Sequence, residues 1–231
     1  MKILKIIIIS LILVFLNILS GLYDNLSLVL NSTAMASSLT LDEILDRVEK
    51  RYAGAGFSAR FDQVSTIKAM EISDTAFGKI FIKRPGMMRW EYEKPEKQII
   101  VTDGKELWIY RPEDKQVMVG NAPSYFGEGK GANFLSDIKL IRRNFSLTLE
   151  KSNRNDYYLL KLLPWKKSFD LSVIYLSISK KTFNVVQIVT LNAYEDETKI
   201  KLSNFQFKEN LSDLMFRFQP PEGTDIINLE D

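Results

Sequence analysis

From Gly56 onward the chain keeps a period of two. Phe57, Ala59 and Phe61 alternate with Ser58, Arg60 and Asp62, as in a strand with one buried and one wet face. Similar short runs cover residues 77–83, 87–93, 98–102, 106–111 and 117–119, and then 145–150, 157–163, 171–179, 185–193, 198–207 and 215–218. Polar turns separate them, among them Arg84-Pro85-Gly86, Asp103-Gly104-Lys105 and Lys180-Lys181. Strands joined by tight turns pair with their neighbours and make an antiparallel meander. A sheet of ten or eleven strands curls and gathers its apolar face inside the curl. The pattern therefore predicts a mainly β fold with some α: an unclosed antiparallel β-barrel.

Two stretches break the period. Thr40-Leu41-Asp42-Glu43 reads as a capping box, and Leu41, Ile44, Leu45, Val48 and Tyr52 recur at helical spacing. A helix is expected over about residues 41–53, ended by Gly54 and Gly56. Residues 121–131 are Gly-rich without a period, and Phe134, Leu135, Ile138 and Ile141 then suggest a second, shorter helix. Two helices far apart in sequence are available to cover the concave face. They either roof a ligand cavity or plug a solid core. Pattern alone permits both.

The N-terminus reads as an address. Lys2 and Lys5 precede an apolar stretch over residues 6–19, and Ala34-Met35-Ala36 stands just before Ser37. This is the layout of a secretory signal peptide over residues 1–36, leaving residues 37–231 as one domain. The competing expectation is an uncleaved membrane anchor. No later segment is apolar for long enough to span a bilayer.

Composition narrows the chemistry. The chain has no cysteine and no histidine, and its formal net charge is only +2. Thiol nucleophiles, thiolate metal sites and the Ser-His-Asp triad are excluded, and the basic field of a nucleic-acid binder is missing. Without an N-terminal cysteine, the chain cannot be lipidated there after export. A carboxylate enzyme would have to use residues such as Glu91, Glu93 and Asp103. The first two lie on a polar strand face and the third in a turn, so they read as solvated charges. No enzyme activity, cofactor or metal is expected.

A set of motifs then carries a resemblance. Phe61-x-Gln63 is followed by Gly78-Lys79-Ile80-Phe81-Ile82-Lys83-Arg84-Pro85 and Met88-Arg89-Trp90-Glu91-Tyr92. Pro95, Gln98-Ile99-Ile100-Val101-Thr102-Asp103-Gly104-Lys105 and Leu107-Trp108-Ile109-Tyr110 come next. Phe216-Arg217-Phe218-Gln219-Pro220-Pro221-Glu222-Gly223 stands near the end. Together, in this order, they resemble the LolA family of outer-membrane lipoprotein carrier proteins. The resemblance implies an unclosed β-barrel under a helical lid, working in the periplasm. It implies acylated lipoproteins as cargo, received from an ATP-driven inner-membrane complex and passed to an outer-membrane receptor lipoprotein. It also implies that Arg84 bonds lid carbonyls and holds the cavity shut, and that Met88 sits at a rim that docks the inner-membrane complex. Phe57, Phe61, Phe81, Trp90, Tyr92, Trp108 and Tyr110 are candidates for the cavity lining. A carrier of one ligand has no evident need of a second copy, so a monomer is expected. The alternative is a membrane-anchored lipid-sensing or regulatory module of related fold.

Overall fold

The computed structural model describes residues 39–54, 56–126, 134–135, 137–207 and 210–229. The expected signal peptide lies outside the described residues. No helix among the described residues is long and apolar enough to cross a membrane.

Helix α1 spans Leu41–Arg51, with Asp42 and Glu43 in its first turn and Lys50 and Arg51 in its last. Both pairs complement the helix dipole. Ile44, Leu45, Val48 and the following Tyr52 are buried, so the predicted apolar stripe faces the core. Six strands follow: β1 (Gly56–Ile67), β2 (Ile72–Lys83), β3 (Met87–Lys94), β4 (Gln98–Thr102), β5 (Glu106–Arg111) and β6 (Gln116–Asn121). Two short helices, α2 (Ala122–Phe126) and α3 (Leu140–Asn144), come next. Then come β7 (Phe145–Glu150), β8 (Tyr157–Pro164), β9 (Val173–Ser179), β10 (Val185–Leu191), β11 (Glu197–Phe207) and β12 (Asp225–Asn228).

All twelve strands form one sheet in the order β12-β6-β5-β4-β3-β2-β1-β11-β10-β9-β8-β7. Two locally wound meanders, β1–β6 and β7–β11, meet where β1 pairs antiparallel with β11. Cross-strand partners share a face, so register assigns the faces. Phe57 opposes Ile82, Ile82 opposes Met88, Met88 opposes Thr102, and Thr102 opposes Leu107. In the second half Ile200 opposes Ile188, Ile188 opposes Leu176, and Leu176 opposes Leu160. All of these side chains are buried and form the concave face. Gly78 lies at the register shift of β2 against β3. A Cβ there would fall 1.9 Å from the Glu91 carbonyl oxygen and 2.9 Å from the Phe61 ring, so only glycine fits.

Three expectations change. The segment at 215–218 is not a strand. A 3-10 turn, Asp213–Phe216, is capped by Ser212, whose side chain accepts from the Leu214 N–H, and it buries Phe216. The period-two pattern there was short and had no strand to pair with. Strand β12 was unanticipated because all four of its residues are exposed. Main-chain pairing, parallel to the edge of β6, holds it, and hydropathy does not register main-chain bonds. The second helix is shorter than its apolar pattern suggested: α3 covers Leu140–Asn144, although Phe134, Leu135, Ile138 and Ile141 are all buried.

The C-terminal segment covers the convex face of the first half. Lys83 Nζ donates to the Leu211 carbonyl at 2.7 Å and pairs with the Asp213 carboxylate. Arg89 donates to the Met215 carbonyl at 3.2 Å, and the Tyr110 and Phe218 rings lie 5.0 Å apart.

Candidate functional site

The concave face is covered by α1 and by Phe134, Leu135, Ile138 and Ile141, all of them buried. Tyr52, just past the end of α1, packs edge-on against Phe57 at 5.3 Å and Phe207 at 5.6 Å. Its hydroxyl accepts the Val185 N–H at 3.0 Å. Arg51 donates to the Asn184 side chain at 2.8 Å, with its guanidinium 3.6 Å from the Phe207 ring centre. Arg142 of α3 bonds three carboxylates of α1: Asp42 at 2.7 Å, Asp46 at 2.6 Å and Glu49 at 2.7 Å. Spacings of four and three put those acids on one helix face. The two helices are thereby tied into one piece of cover.

Arg84 joins that cover to the sheet. It directly follows β2, in the turn into β3, and its Nη2 donates to the Leu135 carbonyl at 3.2 Å. Its guanidinium lies 5.6 Å from the Tyr52 ring centre, within cation–π range. Nε is buried with no acceptor among the described residues. Burial lowers the Arg84 pKa from its ordinary value, against smaller opposing effects of Tyr52 and Asp137. A fork of fixed donors suits a contact with main-chain carbonyls.

The expected lining divides between the two faces. Phe57, Phe61, Trp90 and Tyr92 share the concave face. Phe61 touches Trp90 and Tyr92 edge-on, at centroid distances of 5.0 and 4.9 Å. Phe81, Trp108 and Tyr110 are on the convex side: Phe81 opposes Arg89, Trp108 opposes Val101, and Tyr110 opposes Ile99. These three cannot line the concave space. Met88 is also corrected. It is 1% exposed, held on the concave face between Ile82 and Thr102, and offers no surface at a rim. Arg89 clamps the C-terminal segment and bonds Glu91 at 2.6 Å.

The three carboxylates weighed for catalysis are engaged elsewhere. Glu91 pairs with Arg89, and Glu93 with Arg60 at 2.9 Å and Lys79 at 3.6 Å. Asp103 accepts the Lys105 and Glu106 N–H groups at 2.9 Å each, which forms the β4–β5 turn.

Two phenols, Tyr52 buried and Tyr92 half-buried, are withdrawn from water on this face. Tyr92, which donates to the Gln63 side-chain oxygen at 3.1 Å, is pushed up to about 12 by burial and then by Tyr125. Burial raises Tyr52 further. A folded-state pKa above the unfolded value gives stability that is complete below the unfolded value, near 10, and is lost as pH rises through the folded one. Urea midpoints should therefore stay level up to about pH 9 and fall above about pH 10. Phenolate absorbance of Tyr52 should appear only as the chain unfolds, and that of Tyr92 only near pH 12. A Tyr52 phenolate titrating at the ordinary value in folded protein would contradict its burial.

Fold and site define a class: open barrels whose apolar concave face is closed by helices. Residues 54–219 match the family described as "Outer membrane lipoprotein carrier protein LolA", and the chain belongs to that family. The chain is 30% identical over 171 residues to an outer-membrane lipoprotein carrier protein of Nitrosomonas europaea, covering 74% of this chain and 82% of the relative. It is likewise 30% identical over 174 residues to the one from Neisseria meningitidis serogroup B, covering 75% and 81%. Among solved structures, an uncharacterized conserved protein from Thermus thermophilus superposes with a TM-score of 0.54 at 19% identity, covering 81% of this chain and 98% of that one.

Proposed function

We propose that this protein is a lipoprotein carrier of the bacterial envelope. It encloses the acyl chains of lipoproteins beneath α1, α3 and the buried Phe134, Leu135 and Ile138 and releases them by reopening. The observation that carries this is a continuous apolar concave face, Phe57, Phe61, Trp90 and Tyr92 included, under a cover tied to the sheet through Arg84. Each buried CH₂ is worth about 0.8 kcal/mol, so three acyl chains cannot cross water unshielded. Interchangeable aromatic contacts hold such chains without demanding one shape. Bonds such as Arg84 to Leu135 exist only with the cover down, which makes the lid a two-state element that cargo biases.

In this scheme the chain is exported, residues 1–36 are removed, and the monomer works in the periplasm. It receives cargo from an ATP-driven inner-membrane complex and hands it to an outer-membrane receptor lipoprotein. Membership of the lipoprotein carrier family supports the scheme. The test is to mix the purified exported protein with a triacylated lipoprotein free of detergent. The lipoprotein is expected to stay in solution as a one-to-one complex. Its precipitation at every ratio would sink the proposal.

A further inference from the structure

The end of the sheet away from Arg84 carries a second surface. Register brings three connections side by side there. Thr66 opposes Glu197, Leu191 opposes both Glu197 and Val173, and Leu162 opposes Ile174. The β1–β2, β8–β9 and β10–β11 connections therefore share one rim. Large apolar side chains stand out from all three: Met70 is 66% exposed, Trp165 67%, Phe169 75% and Tyr194 69%. Water-facing groups of this size, gathered at one place, mark an interaction surface.

Hydrogen bonds brace the platform beneath them. The Ala193 N–H donates to the Phe169 carbonyl at 2.9 Å, and the Ser172 N–H to the Leu191 carbonyl at 2.8 Å. Under the β8–β9 connection opens a cavity of about 470 Å³, walled by Leu163, Pro164, Phe169, Leu171 and Ala193, with Lys167 also lining it. The charges of the neighbouring turn are engaged: Glu195 with Lys68, and Asp196 with the Asn192 side chain and the Lys68 N–H. Lys166 and Lys167 directly follow Trp165, and with Asp170 they leave residues 164–172 at a net +1. Lys167 is exposed and makes no ion pair among the described residues.

We propose that this rim docks on the surface of an anionic phospholipid bilayer. Trp165 and Phe169 enter the boundary between headgroups and acyl chains, Tyr194 rests at headgroup level, and Lys167 meets the anionic headgroups. Amphipathic rings favour that depth, and basic side chains beside them add attraction to anionic lipid. The apolar cavity behind Phe169 can take the end of one acyl chain. A protein partner fits less well, because the apolar groups stand on the tips of separate connections along a rim rather than in one flat patch.

Bromolipid quenching of tryptophan tests this with the full exported chain. The probes are vesicles of dibrominated phosphatidylcholine, with and without phosphatidylglycerol. The wild type should be quenched on the anionic vesicles. Trp165→Phe should lose that quenching, and Lys167→Glu should need on the order of tenfold more lipid to reach it. All the altered side chains are exposed, and circular dichroism would check that each variant is folded. The readout is local to Trp165, so retention of residues 1–36 does not imitate it, and no cargo is needed. Quenching that Trp165→Phe leaves unchanged would overturn the proposal, as would equal quenching on both vesicles. Absence of quenching, together with self-association that Phe169→Asp abolishes, would overturn it too and assign the surface to a second copy.

Discussion

Arg84→Leu is expected to give a folded protein that holds its cargo and does not give it up. Arg84 supplies one hydrogen bond from the sheet to the cover, to the Leu135 carbonyl, and it lies near Tyr52. A hydrogen bond from a charged donor is worth about 1.5–3 kcal/mol, and it exists only with the cover down. Leucine removes that term while relieving the burial of a guanidinium whose Nε lacks an acceptor among the described residues. The fold should therefore lose little, while the balance between closed and open moves toward open by roughly a factor of ten to a hundred. The acyl-loaded form then has less to gain by releasing its ligand. Native mass spectrometry of protein purified from the periplasm should find the variant carrying more lipid or acylated protein than the wild type. A ligand-free mass for both, and no uptake of offered lipoprotein, would leave Arg84 without a latching role. Arg84→Lys sharpens the test: an ammonium keeps the charge but not the planar fork, so only partial rescue is expected.

Phe61→Ala should cause the largest loss of stability among the lining residues. The ring is 1% exposed, meets Trp90 and Tyr92 edge-on, and fills the space that Gly78 leaves beneath it. Emptying such a site costs about 3–5 kcal/mol, which for a domain of this size lowers the melting temperature by roughly 10 °C. Phe61→Leu keeps most of the volume and should lose clearly less. Phe81→Ala, on the convex side, should leave cargo uptake unchanged. A shift below about 3 °C for Phe61→Ala would mean that the ring is not part of the packed face.

Most strands were legible because their side chains alternate, β3 most clearly, whereas β12, with all four residues exposed, left no such pattern. Which face was concave was not legible for every strand. A slip of one residue exchanges the faces, and the usual guide, a polar outer side, fails here. The C-terminal segment covers the outside of the first half, so Val101 and Val117 on that side are as buried as any concave residue. Phe81, Trp108 and Tyr110 look like lining for the same reason. Arg84 stood out through its Lys-Arg-Pro setting, whereas its partner did not, since a main-chain carbonyl such as that of Leu135 carries no side-chain signature. Arg142 was missed. Three acids at helical spacing read as a wet helix face, and the arginine that gathers them lies about a hundred residues away.

The sheet order also has a consequence for synthesis. The chain is made from its N-terminus, and β1 finds β2 immediately across a short turn. Its other side belongs to β11, which is completed only after β3 to β10 have been made. Until then β1 offers a bare row of donors and acceptors, bordered by Phe57 and Phe61, and such an edge recruits strands from other chains. The seam between the two halves is thus the slow, long-range step of folding and the point where a nascent copy is most open to aggregation.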